Sequence, residues 1–398
     1  MEHQRIRRCA VLMIEPRERL EFDPAVLLAG DGALVSRMSS IALAPHLEAE
    51  VALDADELAA VMRIGETPWL ALEQLAGCIA PDVIARLLDK GLLIGDGAAH
   101  AALRERDEAV RTTHWRSLSA VAHYFSRWRD TGVDEDARIT RHRSTADLVR
   151  EYGLPPPHLT ARVPPAQRLA LPPARASGLD ALFRSRVTCR NFDAAATLAQ
   201  DDFGDLLQRV LGCQAIVEVV PGACGLKKAH PSGGGLHPLE PYLLVRRVDG
   251  IPTGLYHYHA GAHALEPLAR LADDAAQRLA RCFVAGQGFF ADAPVHVALV
   301  ARFARTFWKY RNHPKAYRAI VLEAGHVSQD FYLAATEAGL GAYVTAAINE
   351  IDIEQAFGLD PLHESAIAVC GFGPRTAARE TMELDPLGAV WDADGRRR

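Results

Sequence analysis

Four short segments of the chain hold residues whose types and spacing could do chemistry. The first is Arg186-Val187-Thr188-Cys189-Arg190-Asn191-Phe192. Two arginines four apart bracket a hydroxyl residue, and on one helical turn they would share a face. Guanidinium forks suit the oxygens of a phosphate, and a hydroxyl adds a further hydrogen bond. Arginines at that spacing also occur as a plain solvated helix face, so the segment is weak alone. The second runs from His230 to Glu240 and contains Pro231, Ser232, Gly233, Gly234 and Gly235. Consecutive glycines let a backbone pass close to a flat ligand and turn N–H groups toward it. Pro231 and Pro238 frame the run, which leads into an apolar strand. That framing argues against a flexible loop tip.

The third segment holds Trp308-Lys309-Tyr310, then Ala316-Tyr317-Arg318, then Leu322 through Gln329. Glu323 and His326 would lie on one helix face, a spacing more often met in a hydrogen-bonded core pair than in a catalytic one. Gly325 inside a helix costs roughly 1 kcal/mol against Ala, so something is expected to pack very close to it. The fourth is Gly371-Phe372-Gly373-Pro374-Arg375, where Arg375 is either a second phosphate clamp or a charge capping a strand end. Tyr256-His257-Tyr258-His259, with His263 nearby, puts two histidines on one face of a strand. The sequence around them supplies no carboxylate or cysteine to complete a ligand set, so no metal is expected.

Signatures of other chemistries are missing. The sequence has no GxxxxGK[ST], no strand followed by GxGxxG, no GxSxG and no HExxH. Its 398 residues are 49% hydrophobic and 24% charged, an ordinary globular mixture long enough for two or three domains. The net charge of −6 offers no basic field for nucleic acid. The apolar run 9–14 is too short for a signal-peptide core and reads as a β-strand. No stretch approaches 18 apolar residues, so a cytoplasmic protein without a membrane span is expected. Seven scattered cysteines, an odd number without CxxC, argue against a disulfide framework or a zinc site.

The elements that must position these residues fall into three regions. Residues 1–105 carry an early strand and three short helical patterns, opening near Asp54, Thr67-Pro68 and Pro81. With a terminal hairpin near residues 92–97, they read as a winged-helix-like domain. Residues 106–179 form a connector, with a helix expected near 115–128 and a proline-rich stretch after it. Residues 180–398 mix strands at 241–248, 254–260, 294–303, 342–348 and 365–373 with a long helix at 317–339. Without a strict βαβ rhythm, the fold class is α+β. Residues 254–268 read as a hairpin whose turn carries Gly261.

In this order and at these separations, the segments resemble the nitroreductase superfamily, and within it the SagB-type dehydrogenases that include the azoline oxidases of thiazole/oxazole peptide biosynthesis. The resemblance rests on residues 186–192, on Pro231 to Glu240, on Trp308-Lys309-Tyr310, on Lys315-Ala316-Tyr317-Arg318, on Leu322 to Gln329 and on Gly339-Leu340-Gly341. It implies a nitroreductase-like FMN fold, with a central mixed or antiparallel sheet flanked by helices. It further implies that Arg186, Thr188, Arg190 and Arg375 hold the FMN phosphate and ribityl chain, and that Pro231, Ser232, Gly233, Gly234 and Gly235 line the isoalloxazine. Lys309 and Tyr310 match a pair regarded as catalytic. Val187 stands where the family has a second arginine, and Ala346-Ala347 where many relatives have Gly-Gly beside the flavin; these positions too would border the cofactor.

By the same resemblance the chain is expected to be a homodimer with FMN at the interface. It would act as a dehydrogenase on a ribosomally made precursor peptide during natural-product maturation. Hydride would pass to flavin N5, a proton to Tyr310 or Lys309, and a buried site would depress the pKa of that base. The region 1–105 would hold the leader peptide. A reductase of dehydroamino acids, a generic NAD(P)H nitroreductase and a non-catalytic peptide-binding scaffold with a degenerate flavin fold stay open as alternatives.

Overall fold

The structure, a computed structural model, describes residues 5–22, 24, 28, 34–133 and 145–398. The chain forms two compact units that interleave in sequence. The first comprises Met1–Arg127, Arg302–Ile320 and Leu359–Ser365; the second comprises Trp128–Ala301, Val321–Gly358 and Ala366–Arg398.

The first unit opens with β1 (Arg5–Arg8), β2 (Met13–Phe22), β3 (Leu34–Leu43) and β4 (Glu50–Leu53). Helix α1 (Ala55–Val61) begins at Asp54, where a reciprocal pair closes the helix start. The Asp54 carboxylate accepts from Glu57 N at 2.8 Å, and the Glu57 carboxylate accepts from Asp54 N at 2.9 Å. Strand β5 (Leu70–Ala71), helix α2 (Leu72–Leu75), helix α3 (Pro81–Asp89) and strand β6 (Leu93–Gly95) follow. Pro81 sits in the first turn of α3, where a missing N–H costs nothing, and Val83, Ile84, Leu87 and Leu88 are buried along one face. With Ile6, Val61, Leu92 and Leu93 they form the core of this unit.

Three sequence expectations change here. The run 9–14 is not one strand: β1 ends at Arg8, β2 starts at Met13, and Cys9 and Val11 are buried between them. The helix expected to open at Thr67-Pro68 shrinks to α2, because β1 takes Leu70 and Ala71 as strand partners. The terminal hairpin is absent as such, since β6 pairs antiparallel with β1 through Arg7↔Ile94. The described residues of the unit thus hold two three-stranded sheets: β5-β1-β6, stitched from separated segments, and the sequential meander β2-β3-β4. Long-range pairing overrides the local helical pattern.

Beyond them come α4 (Ala101–Thr112) and α5 (Ser117–Tyr124), the second shorter than the expected 115–128. Buried Trp115 anchors the end of the unit. Its ring stacks on His123 at 5.6 Å and meets Phe303 at 4.4 Å and Phe307 at 4.8 Å. Those phenylalanines belong to the short helix Phe303–Phe307, which leads into Lys309 and Tyr310.

In the second unit, α6 (Thr145–Tyr152) precedes residues 153–177, which are exposed throughout and hold one short 3-10 turn, Pro165–Gln167. Helices α7 (Gly178–Ser185) and α8 (Gln200–Leu211) lead to the ribbon of β7 (Ala215–Val220) and β8 (Ala223–Lys227). The central sheet has six strands: β9 (Leu239–Val245), β10 (Gly254–His259), β11 (Ala264–Arg270), β12 (Val295–Arg302), β13 (Gly341–Thr345) and β14 (Glu364–Gly373). Their order is β11-β10-β9-β12-β14-β13. Strand β9 pairs antiparallel with both β10 and β12, so the α+β class holds. Val295 to Ala301 are all buried, as expected where both sheet faces are covered. Helices α9 (Asp273–Phe283), α10 (Ala316–Glu337) and α11 (Glu350–Phe357) flank it in sequence.

The hairpin of β10 and β11 forms as expected, with His263 at φ 47° in its turn. Carboxylates do face one of its histidines: His257 Nδ1 lies 2.7 Å from Glu266 and Nε2 3.5 Å from Glu240. Both partners come from adjacent strands, which hold the imidazole as an ion-pair partner and raise its pKa.

One packing contact tests the sheet. Tyr343 on β13 stands opposite Gly371 on β14, and a Cβ at Gly371 would meet the Tyr343 ring at 2.2 Å. Gly371→Ala should therefore destabilise the protein by about 1–3 kcal/mol through overpacking. Thermal or urea unfolding checks this; an unchanged midpoint would mean the ring moves aside freely.

Candidate functional site

The segment after α7 is extended, not helical. Arg186 ends the helix with φ −69° and ψ 101°, and Thr188 bridges Ala342 in parallel beyond β13. The shared face survives for a different reason. In an extended chain residues two apart point the same way. Arg186, Thr188 and Arg190 are half-buried, while Val187, Cys189 and Asn191 are buried between them.

Tyr332 on α10 holds this edge. Its hydroxyl lies 2.9 Å from Thr188 Oγ1 and accepts from Val344 N at 3.3 Å. The Arg186 guanidinium lies over the Tyr332 ring at 5.2 Å. Among the described residues no carboxylate pairs with Arg186, which leaves its fork available to an anion.

The other two arginines are tied to the protein. Arg375 Nη1 donates to Glu383 Oε2 at 2.8 Å and Nη2 donates to the Val187 carbonyl at 3.0 Å. The backbone N–H of Arg190 donates to Glu383 Oε1 at 2.6 Å, and its Nη1 to the Met382 carbonyl at 3.0 Å. Glu383 also accepts from Asn191 Nδ2 and Trp391 Nε1, both at 2.8 Å. Burial alone would raise the Glu383 carboxyl. The Arg375 charge and the Arg190, Trp391 and Asn191 hydrogen bonds hold it below its ordinary value instead. The expected phosphate clamp Arg375 is thus the partner of a buried carboxylate that no sequence motif flagged. The carboxyl-terminal arginines are exposed but their backbone is tied: Arg397 N donates to Ala377 O at 2.9 Å and Arg398 N to Val390 O at 3.0 Å.

The turn at 231–235 is built from glycine because of its backbone. Gly234 and Gly235 sit at φ 71° and 70°, in the left-handed region. A Cβ on Gly235 would meet nothing within 4 Å, so the face stays open. Ser232 Oγ pins the turn, donating to Glu323 Oε2 at 2.5 Å and accepting from His237 N at 2.8 Å. Glu323 is buried and points inward, toward His230 and His237, while His326 is exposed with Nδ1 3.3 Å from the Pro231 carbonyl. The expected Glu323–His326 pair therefore does not form; both side chains turn to the same glycine-rich segment. Among the described residues outside its own helical turn, nothing lies within 4 Å of a Cβ at Gly325, so they do not supply the close packing expected there. Burial pushes the Glu323 carboxyl up to about 7, against a lowering by Ser232 and Lys228. Burial, with His237 and Lys228, pushes the His230 imidazole down to about 4.

Ala346 is exposed and Ala347 half-buried just past β13; the Ala347 carbonyl accepts from Gln287 Nε2 at 3.0 Å. Lys309 and Tyr310 lie in the first unit. Lys309 is exposed, its Nζ 5.5 Å from the centre of the half-buried Tyr310 ring. The buried setting expected around a base there is not supplied within this chain. Phe307 is core, whereas Trp308 is exposed.

Residues 183–373 match the Nitroreductase family. That stretch is a nitroreductase family domain. Two curated relatives align with part of it. The trifolitoxin-processing protein TfxB of Rhizobium leguminosarum bv. trifolii is 34% identical over 150 residues, 36% of this chain and 38% of that protein. The microcin B17-processing protein McbC of Escherichia coli is 30% identical over 159 residues, 38% of this chain and 56% of that protein. The chain thus spans about two-fifths and just over half the length of these relatives. Among solved structures, the E. coli microcin synthetase McbBCD complex with truncated pro-MccB17 bound aligns with a TM-score of 0.46 and 20% identity, over 67% of this chain and 97% of that one. A protein from Desulfovibrio desulfuricans solved in complex with FMN aligns with a TM-score of 0.33 and 14% identity, over 52% of this chain and 94% of that one. The nitroreductase domain agrees with the α+β fold seen here. No described helix is long and apolar enough to cross a membrane.

Two predictions follow from these buried carboxylates. Glu383→Ala strands Arg375 without its counter-charge and should cost on the order of 3–5 kcal/mol. Urea unfolding of that variant should be compared with Glu337→Ala, which removes only the exposed pair with Arg209 and should cost about 0–1 kcal/mol. Equal effects would show that the Glu383 network carries no special weight. Glu323 is a carboxyl whose folded pKa lies above its ordinary 4.5, so the folded state holds the extra proton between pH 4.5 and about 7. Its contribution is present below pH 4.5 and is lost as pH rises through about 7. Glu323→Gln should thus gain stability relative to the wild type as pH rises across that window; a constant difference would remove the argument.

Proposed function

We propose that this chain is an FMN-dependent oxidoreductase that modifies a ribosomally made precursor peptide. The observation that carries the reading is the edge formed by Arg186, Thr188 and Tyr332 together with the open glycine turn at 231–235, within residues matched by the nitroreductase family. The peptide-processing relatives supply the substrate class.

The residues present fit FMN. Arg186 has an unpaired fork for phosphate oxygens, and Arg190 keeps a buried Nε that lacks a hydrogen-bond partner. The glycine turn offers a surface without side chains, framed by Pro231 and pinned by Ser232. Arg375 serves by fixing the Val187 carbonyl, and so the extended segment, instead of reaching the phosphate. Val187, Ala346 and Ala347 border the cofactor, the alanines narrowing the space open to substrate. FMN when bound supplies two-electron redox chemistry, which leaves binding, orientation and proton handling to the protein. Lys309 and Tyr310 carry the proton. A bound peptide or a second copy of the chain provides the burial that this chain does not give Lys309. Residues 1–105 hold the leader portion of the peptide, residues 106–179 connect them to the flavin domain, and the working form is a cytoplasmic homodimer. Tethering raises the effective concentration of the reacting residue.

Purified protein should be yellow, absorbing near about 450 nm as oxidised flavin does. Incubation with the precursor peptide should remove about two mass units per modified residue, the signature of dehydrogenation. Lys309→Ala and Tyr310→Phe should keep FMN and lose most of that turnover. A gain of two hydrogens that requires NAD(P)H would replace the dehydrogenase with the reductase. A colourless protein that takes up no added FMN would sink the enzyme reading altogether.

A further inference from the structure

We propose that His230, His237 and Glu323 form a site for a divalent metal ion of the zinc class, which clamps both ends of the glycine turn to α10. No motif announces this site, and the sequence led us to expect no metal. Its ligands frame the turn at either end and reach a helix far along the chain. Among the described residues this is the one trio of histidine, cysteine or carboxylate groups whose ligand atoms converge within 4.8 Å.

The spacing of the three atoms is the main argument. Glu323 Oε1 lies 3.7 Å from His230 Nε2 and 3.7 Å from His237 Nδ1, and those two nitrogens are 3.4 Å apart. The point equidistant from three atoms so separated is about 2.1 Å from each, which is the zinc–nitrogen and zinc–oxygen bond length. Two histidines and a glutamate form a recurrent zinc ligand set that leaves one position open.

Hydrogen bonding within the protein does not account for the cluster. One proton between the two imidazoles satisfies a single edge of the triangle. Glu323 Oε1 and His230 Nδ1 then remain without hydrogen-bond partners, although the Glu323 and His230 side chains are each 2% exposed. Buried polar atoms are rarely left so. Ser232 supplies the outer support, holding Glu323 Oε2 at 2.5 Å and thereby aiming Oε1 at the histidines. His237 sits at φ 46°, an uncommon conformation for a residue other than glycine. Lys228, buried nearby, acts on both His230 and Glu323 and opposes a cation.

The test uses the full chain, stripped with a chelator, with FMN content recorded separately. Dialysis against Zn2+ should leave one equivalent per chain by elemental analysis and raise the melting temperature. Mg2+ should not do so, since it prefers oxygen ligands. His230→Ala and His237→Ala should each weaken Zn2+ binding at least about tenfold, as expected when one ligand is lost. Lys228→Met should tighten it. Circular dichroism establishes that each variant is folded. Wild type that retains no stoichiometric zinc overturns the proposal, and so does a folded His230→Ala/His237→Ala variant that binds zinc as tightly as wild type. Because the readout is metal content, failure here leaves the flavin reading standing, and a colourless protein that binds zinc does the reverse.

Discussion

The second unit depends on one buried carboxylate. Glu383 joins the end of β14, the extended segment at 187–191 and the carboxyl-terminal residues near Trp391. A charge in that environment is tolerable only because Arg375 and a set of N–H groups surround it. With those partners in place, the alternation that turns Arg186 and Thr188 one way and Val187 and Cys189 the other has a fixed register. They add to the bridge between Thr188 and Ala342 and to the Tyr332 hydroxyl, which hold the segment at the edge of β13.

Helix α10 performs a second task of the same kind. Glu323 and Tyr332 are nine residues apart, which in an ideal helix is about half a turn out of phase. One side chain therefore serves the glycine turn, and the other serves the extended segment. A single rigid element thus sets two separate loops. Loops carrying function on a rigid scaffold are the common arrangement. Here the scaffold reaches them through hydrogen bonds to Ser232 and Thr188.

Much of the nitroreductase-like domain was legible in the sequence. Apolar runs such as 295–301 and the hairpin around Gly261 formed strands where the pattern put them, and the long helix differs from expectation only at its ends. The face shared by Arg186 and Arg190 was readable, but its conformation was not. Residues four apart coincide in both a helix and a strand, so the spacing could not decide. Arg375 was misread because its partner lies in the irregular tail, where no periodicity marks a buried charge. The Ser232–Glu323 contact spans 91 residues, a separation at which local pattern is silent. In the first unit, β5 and β6 owe their existence to β1, so their own composition misled.

The interleaving of the two units has a consequence for inheritance. The chain passes between them at 127/128, 301/302, 320/321, 358/359 and 365/366. A front end that could be exchanged between proteins like a cassette would need a single crossing. Here the first unit includes residues 302–320, and the Trp115 cluster is completed by Phe303 and Phe307. Recombination at 127/128 or 301/302 would leave that indole half-wrapped. A change at Trp115 is therefore answerable to Phe303 and Phe307, and through their helix to the Lys309–Tyr310 segment.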